Sequence, residues 1–209
     1  FGKAFLNTTI VSALSGIVVV ILASSSAYIL SFSFRQSKKL MFSLLISQMI
    51  PGITILIPLY LMLGNMGLRN TRLGLIIVYA GLMLPVSILI LRNHFMTIPM
   101  EIIESAVLDG CTHFQVLSRI ILPVVAPGLF ATVFYVFLNV WNEFFFALIL
   151  SESADVKMIS VAISEFSTQG GIDYGMMSTA GVIGSVIPLI LVILFQKHIT
   201  EGLVSGWSK

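Results

Sequence analysis

The chain has 209 residues, of which 57% are hydrophobic and only 10% are charged, with a mean hydropathy of +1.06. A soluble domain carries about 25% charged residues. A water-soluble globule of this size could not cover its surface with so few charged residues. This excludes a soluble enzyme, a nucleic-acid binder and a disordered tail. The net charge of +2 is too small to indicate an anionic partner, and the single cysteine, Cys111, excludes an internal disulfide. The composition predicts an integral membrane protein.

Five apolar stretches are long enough to cross a hydrocarbon core as helices, which takes about 20 residues each. In chain order they run approximately over Thr8–Phe34, Leu40–Leu63, Leu73–Leu91, Ile120–Leu150 and Met177–Gln196. A backbone in lipid must satisfy its own hydrogen bonds, and the runs lack the alternation of barrel strands. The predicted fold class is therefore all-α, a polytopic transmembrane domain with five membrane-spanning helices.

Lysine and arginine are unevenly divided between the two sets of helix ends. The richer set holds Arg35, Lys38, Lys39, Arg92, Arg119, Lys197 and Lys209, and the poorer set holds Lys3, Arg69, Arg72 and Lys157. Because positive charge favours the cytoplasm, we expect residues 92–119 and the C-terminus inside, and residues 151–176 outside. The N-terminus would lie outside with no signal peptide, so we expect a further transmembrane helix upstream of Phe1.

Prolines mark the second apolar stretch. A single proline in a membrane helix is compatible with ordinary packing, but here Pro51-Gly52 is followed by Pro58. Proline removes a backbone donor and kinks a helix. The pattern predicts a bent helix that lines a cavity.

Residues 97–127 form a cytoplasmic segment with an amphipathic order of its own. Thr97 can cap a helix, Pro99 suits a first turn, and Glu101 places a negative charge where the helix dipole favours one. Gly110 then supplies a stop for this helix.

A second short helix is predicted after this stop, capped by Thr112 and running into Pro123. The two helices form a knob, residues 97–123, that protrudes from the membrane. At 100° per residue, one face of the first helix holds Ile102, Ile103, Ala106 and Val107, and the other holds Glu101, Glu104, Ser105 and Leu108. We expect the apolar face to lie against the chain's own helices.

Three groups of residues in the knob form a pattern: Glu104-Ser105-Ala106, then Asp109-Gly110, then Ile121-Leu122-Pro123. This pattern resembles the coupling loop of bacterial ABC importer permeases. By that resemblance, the residues that couple the chain to an ATPase are Glu101, Glu104, Ser105, Ala106, Asp109 and Gly110.

Four further segments are similar to the carbohydrate-uptake branch of these permeases. They are Pro58-Leu59-Tyr60, Gly67-Leu68-Arg69-Asn70-Thr71, Trp141-Asn142-Glu143-Phe144 and Gly202-Leu203-Val204-Ser205-Gly206. The likeness is to the smaller permease subunit of maltose-type transporters. It implies a single ABC importer transmembrane domain over residues 1–209, with a coupling loop at about 97–123 and an outer loop at about 151–176.

The resemblance also implies partners. They are a second, different permease subunit, two ATPase subunits that hold ATP and Mg, and an extracytoplasmic sugar-binding protein, in a bacterial cytoplasmic membrane. This chain has no phosphate-binding G-x-x-x-x-G-K-[ST] segment. We therefore expect a transporter subunit with no catalytic residue and no cofactor of its own. The outer loop, acidic and containing Gly170-Gly171, is expected to touch the binding protein.

Several polar and aromatic residues interrupt the fourth apolar stretch at offsets of three, four and seven, which places them on one helical stripe. They are Tyr135, Asn139, Asn142, Glu143 and Phe146. An intramembrane carboxylate is costly and faces protein or water. Two interpretations stay open: a path for a sugar, whose hydroxyls bond amides and carboxylates, and a hydrogen-bonded contact between helices.

Two other functions remain as alternatives. One is an ABC importer permease for amino acids, peptides or another solute. The other is an ion-driven secondary transporter, although such carriers more typically show an inverted repeat and paired intramembrane charges. The histidines, His94, His113 and His198, have no Glu or Cys partner at ligand spacing, so no metal site is predicted.

Overall fold

The computed structural model of the chain describes residues 1–33, 37–168 and 171–204. Four long helices form its body: α1 (Gly2–Tyr28), α4 (Arg72–Phe95), α8 (Ala126–Asn142) and α11 (Tyr174–Val204). Helix α1 packs against both α4 and α8, and α11 packs against α8. Small side chains permit the close approach, because a Cβ on Gly16 would lie only 3.3 Å from Val133 of α8.

Shorter elements connect these helices. In chain order they are a π-helix (Ile29–Ser33), α2 (Ser37–Ser47), a 3₁₀ helix (Gly52–Ile55), α3 (Leu56–Asn65), α5 (Met100–Leu108), α6 (His113–Gln115), a π-helix (Val116–Ile121), α7 (Leu122–Val124), α9 (Phe145–Leu150) and α10 (Ile159–Ser164). The antiparallel strands β1 (Ser167–Thr168) and β2 (Gly171–Ile172) pair Ser167 with Ile172 and Thr168 with Gly171. The all-α fold class is confirmed.

Three described helices are long and apolar enough to cross a membrane alone: Gly2–Phe32, Arg72–Phe95 and Tyr174–Gln196. Two further pairs qualify if each pair is counted as one bent span, Lys38–Met49 with Gly52–Asn65 and His113–Val124 with Ala126–Asn142. The five predicted spans match the upper number. Phe34, the last residue of the first predicted span, and Arg35 after it lie outside the described residues.

The second predicted span is not one straight helix. Its two halves meet at 86°, and Pro51 stands at the bend with ψ 122°, ahead of the 3₁₀ helix. The predicted bend is confirmed. Met49 and Ile57 at the bend are 80% and 69% exposed. The cavity beside the bend stays a prediction.

The fourth predicted span, Ile120–Leu150, is wrong as a single helix. It bends by 82° near Val125. Pro123 stands in the first turn of α7, and Pro127 stands in the first turn of α8. Proline at this position initiates a helix and cannot continue a preceding one. The stretch then breaks again at Glu143, whose ψ of 131° is extended, and α9 resumes only at Phe145.

Two of the three apolar clusters of the described residues join α1 and α4. One joins Val11 of α1, Tyr79 of α4 and Val140 of α8, and the other joins Ala23 of α1, Leu91 of α4 and Ile103 of the knob. Helices α1 and α4 therefore both end beside the knob, and α8 starts there. The opposite end carries the long loop, which we define as residues 151–173.

Candidate functional site

The start of the knob differs from the prediction. Helix α5 begins at Met100 with Pro99 as its N-cap residue, so Pro99 lies one position before the first turn. The Thr97 hydroxyl donates to the carbonyl of His94 at 2.8 Å, and its amide bonds the same carbonyl. The predicted Thr97 cap is therefore wrong, because Thr97 belongs to the turn that closes α4. Glu101 does lie in the first turn.

Helix α5 divides its side chains between protein and surface less evenly than its periodicity predicts. Ile103 and Ala106 are buried, with 3% and 7% exposure, whereas Ile102 and Val107 are 46% and 42% exposed. The predicted apolar face is thus right for two of its four residues. Ala106 also differs from the other predicted coupling residues, since it packs inside the chain. The exposed ones are Glu101, Glu104, Ser105, Asp109 and Gly110.

The end of α5 is a Schellman motif. The amide of Cys111 donates to the carbonyl of Ala106 at 3.0 Å, and the amide of Gly110 donates to that of Val107 at 3.0 Å. Gly110 has φ +87°, in the left-handed region that side chains disfavour. No other atom lies within 4 Å of where a Cβ on Gly110 would stand, so the requirement for glycine comes from the backbone alone.

The second helix of the knob begins as predicted. Thr112 and Gln115 form a capping box, with the Thr112 amide donating to Gln115 Oε1 at 2.8 Å and the Gln115 amide donating to Thr112 Oγ1 at 3.3 Å. Behind it, the Tyr28 hydroxyl and His113 Nδ1 are 2.8 Å apart and connect the knob to α1.

Sequence reasoning missed the two most exposed large apolar side chains of the knob. Leu108 is 87% exposed and Phe114 is 76% exposed, and they flank the turn at Gly110. The signal was available for Leu108, which the helical spacing places on the same face as Glu104 and Ser105. Exposed apolar side chains beside small and acidic ones form a surface suited to a protein partner.

The carboxylate of Glu143 satisfies the backbone at the break between α8 and α9. Its Oε1 accepts from the amide of Phe146 at 3.1 Å, and its Oε2 accepts from the amide of Ala147 at 3.0 Å and from the Tyr79 hydroxyl at 2.9 Å. The Ser160 hydroxyl donates to the Glu143 carbonyl at 2.6 Å. Both carboxylate oxygens are thus bound within the chain.

The predicted stripe is not continuous, because α8 ends at Asn142. Asn139 and Asn142 are exposed, and their amides donate to the carbonyls of Tyr135 and Leu138 in the same helix, both at 2.8 Å. Tyr135 is partly buried, and Phe146 is 6% exposed and packs in the apolar cluster. The side-chain amides of Asn139 and Asn142 therefore lie at the surface, whereas the ring of Phe146 lies in the core.

The base of the long loop is held by Tyr60 of α3 and by two residues of the turn between α3 and α4. Tyr60 donates to Glu152 Oε1 at 2.9 Å, and Arg69 Nε lies 3.5 Å from the same oxygen. Asn70, with φ +55°, accepts from the Ser153 amide at 3.0 Å. These three residues belong to the segments that resemble the carbohydrate-uptake branch, and together they fix the start of the loop.

Helix α1 holds the same base from the other side. Lys3 Nζ lies 2.7 Å from Asp155 Oδ1, and the Asn7 amide donates to the carbonyls of Asp155 and Lys157 at 2.9 and 3.1 Å. The hydrogen bond from Lys3 is the main cause that lowers the pKa of Asp155. Lys157 also pairs with Glu165 farther along the loop. Gly170, part of the predicted flexible turn, lies outside the described residues, as does Gly206 of the predicted tail motif.

Ligand-type side chains are scattered in the part of the chain that the structure describes. There, no group of three or more His, Cys, Asp or Glu side chains is close enough to hold an ion.

Comparisons with known proteins agree on one family. Residues 6–204 match the family described as "Binding-protein-dependent transport system inner membrane component". The chain is 33% identical to a trehalose/maltose transport system permease protein of Thermococcus litoralis, covering 97% of this chain and 74% of that protein. It is 31% identical to a diacetylchitobiose uptake system permease protein of Streptomyces coelicolor, covering 98% and 69%. Its fold matches a chain of a bacterial alginate-importing ABC transporter with a TM-score of 0.79, 23% identity and coverage of 94% and 74%.

Proposed function

This chain belongs to the family of binding-protein-dependent transport system inner membrane components, and we propose that it forms half of the translocation path of an ATP-driven sugar importer. It is a multi-pass membrane protein and a permease subunit of such an importer. The observation that carries the sugar assignment is similarity, over nearly the whole of this chain, to permeases whose names specify trehalose or maltose and diacetylchitobiose. Uptake of labelled sugars, amino acids and peptides by the reconstituted complex tests it, since amino-acid or peptide uptake alone would contradict it.

We propose that the knob transmits motion between this chain and an ATPase subunit. Helix α5 is fixed to the body by buried Ile103 and Ala106, so it can move with the membrane helices as a rigid unit. Its far side presents Glu104 and Ser105 with the apolar anchors Leu108 and Phe114. Central apolar anchors with a polar rim are typical of stable protein interfaces.

A charge reversal on the exposed side of α5 tests this contact with the ATPase. Glu104→Lys should release the ATPase during purification or uncouple ATP hydrolysis from transport. An ion pair broken on one side costs about 3–5 kcal/mol when buried and about 0–1 kcal/mol when exposed. Glu165→Lys, the same exchange in the long loop, is the matched control and should retain the ATPase. Normal transport and normal ATPase retention in Glu104→Lys would contradict the assignment.

We propose a path surface formed by the exposed amides Asn139 and Asn142, with Tyr135 beside them and with Glu143 and Phe146 holding the helix break behind them. Amides bond sugar hydroxyls without burying charge. Asn142→Ala should change the apparent affinity for sugar and leave the melting temperature of the complex unchanged. Tyr79→Phe removes a hydrogen bond from Glu143 without reaching the surface, and should lower the melting temperature instead. The opposite pattern would assign Asn142 to helix packing.

We propose a bacterial cytoplasmic membrane location with the knob and the C-terminus on the cytoplasmic side. The knob carries the chain's single cysteine, Cys111, which is partly exposed. A membrane-impermeant thiol reagent should therefore label inside-out vesicles but not intact cells, with Cys111→Ser as the unlabelled control. Labelling of intact cells alone would reverse the orientation.

With that orientation, the long loop faces the extracytoplasmic binding protein. Its base is held by Asn70, Tyr60 and Asn7, and α10 packs inside the chain, which leaves the hairpin that follows α10 to make contact. Deleting residues 168–171 should weaken uptake while the complex stays assembled. Unchanged uptake across a range of binding-protein concentrations would contradict this contact. Two ATPase subunits and a second, different permease complete the proposed assembly, with ATP and Mg on the ATPases only.

A further inference from the structure

Helix α11 contains a carbonyl group that its own backbone cannot satisfy. In an α-helix the carbonyl of residue i accepts from the amide of residue i+4. Position 188 is proline, which has no amide hydrogen, so the carbonyl of Gly184 loses its helical donor. Inside a membrane such a group must find a donor from a neighbouring element.

The donor comes from α8. The indole Nε1 of Trp141 lies 3.2 Å from the Gly184 carbonyl oxygen, and the indole is 4% exposed. The ring is fixed in turn by Phe137, stacked at 5.4 Å, and by Phe5, edge-on at 5.7 Å. Trp141 therefore reaches α11 from a rigid aromatic cluster.

Glycine at position 184 permits close packing of α11 against α10. A Cβ there would lie 3.3 Å from the side chains of both Ile159 and Ile163 on α10. The close approach brings α8, α10 and α11 together at one level. Beside it lies a cavity of about 400 Å³, lined by Asn142, Ser160 and Ser185 among others.

Helix α11 is less buried in this chain than α1 and α4 are. Only 11% of its most apolar stretch is buried, against 39% in α1 and 44% in α4. We infer that Trp141 is the positioning residue for α11: its indole N–H replaces the donor that Pro188 removes and fixes α11 on α8 at Gly184. Trp141 thereby sets the distance between the two walls of the neighbouring cavity.

A double-mutant cycle tests the replacement directly. Pro188→Ala returns a backbone amide to α11, so the indole donor becomes redundant. Trp141→Phe should lower the transport rate about threefold in the parent, the factor that corresponds to an average membrane hydrogen bond of ~0.6 kcal/mol. In the Pro188→Ala background the same substitution should have little effect. Phe137→Leu, which changes ring packing only, is the control and should act equally in both backgrounds.

A spectroscopic measurement supports the cycle if the proline variants assemble poorly. The chain has two tryptophans, so Trp207→Phe leaves Trp141 as the single indole. Its ultraviolet resonance Raman spectrum in the parent should show a hydrogen-bonded N–H, a readout that needs no proline variant. A free indole N–H in the parent would overturn the inference. Equal losses of transport from Trp141→Phe in both backgrounds, or no loss in either, would overturn it as well.

Discussion

The knob and the long loop lie at opposite ends of the same helices and are attached by different physical means. The knob is anchored by apolar side chains such as Ile103, Ala106 and Val116, which are 3%, 7% and 0% exposed. The base of the long loop is anchored by the hydrogen bond between Asn70 and the Ser153 amide and by the exposed ion pair between Lys3 and Asp155. The knob continues the core, whereas the base of the long loop, residues 151–157, is held mainly by polar contacts. The loop joins the core only farther along, where Met158 and Val161 are 0% and 4% exposed.

This difference in attachment determines how the knob and the long loop respond when the helices move or a partner binds. Buried apolar contacts are close-packed and have few alternatives, so displacement of the helices moves the knob with them. Exposed polar contacts exchange readily with water and contribute little individually. We therefore expect the knob to transmit force, and residues 151–157 at the base of the long loop to detach locally when a partner competes for their polar groups.

The largest effect should come from removing a core anchor of the knob. Ile103→Ala should destabilise the chain by about 2–5 kcal/mol, because it leaves a cavity between α5 and the body. Ile102→Ala, on the same helix but 46% exposed, is the matched control and should change stability by at most about 0.5 kcal/mol. Thermal unfolding of the purified complex measures both. Equal shifts would mean that α5 is not anchored through Ile103.

The next effect concerns the turn that ends α5. Gly110→Ala should cost about 1–2 kcal/mol, because a Cβ is strained at φ +87° although the space around it is open. Gly110→Asn should cost less, since asparagine tolerates the left-handed region. Melting temperature and ATPase retention should follow the order Gly, Asn, Ala. A larger loss from Asn than from Ala would point to a partner that contacts this position directly.

Local signals at the knob were readable from sequence, and distant contacts were not. Gly110 and Thr112 were predicted correctly because the hydrogen bonds they organise lie within five residues along the chain. Thr97 was misassigned because the turn after α4 competes for the same hydroxyl. Residue type and spacing alone do not distinguish Thr112, which caps a helix, from Thr97, which closes one.

The break at Glu143 and the attachment of the long loop show the same limit. Glu143 interrupts an apolar run whose length suggested one helix, and only the folded chain brings Tyr79 and Ser160 to complete the break. Asn7 reaches Asp155 across 148 positions, a separation at which no sequence pattern specifies a partner. Composition predicted the membrane fold, whereas pairings of this kind depend on helix packing.

A smaller effect should separate the two properties of Asn70, its positive φ and its side-chain acceptor. Asn70→Gly keeps the backbone conformation and removes the acceptor for Ser153, so it should loosen the loop by about 0.5–1.5 kcal/mol. Asn70→Ala should cost more, because it adds strain at φ +55°. Hydrogen exchange of residues 151–158 measures the opening. Faster exchange across the knob in Asn70→Gly would contradict the independence of the two ends.

The smallest effect should come from the Lys3–Asp155 pair, whose side chains are 76% and 77% exposed. The hydrogen bond from Lys3 holds the pKa of Asp155 below its ordinary value of about 3.9. A carboxyl whose pKa is lowered in the folded state stabilises above the unfolded pKa, and that contribution is lost as pH falls through the folded pKa. The parent and Asp155→Asn should therefore differ slightly and constantly in hydrogen exchange between about pH 7 and pH 5, and the difference should shrink in high salt. A difference that disappears between pH 7 and pH 5 would mean that Lys3 does not stabilise the charged form, and that the backbone contacts of Asn7 alone hold this side of the loop.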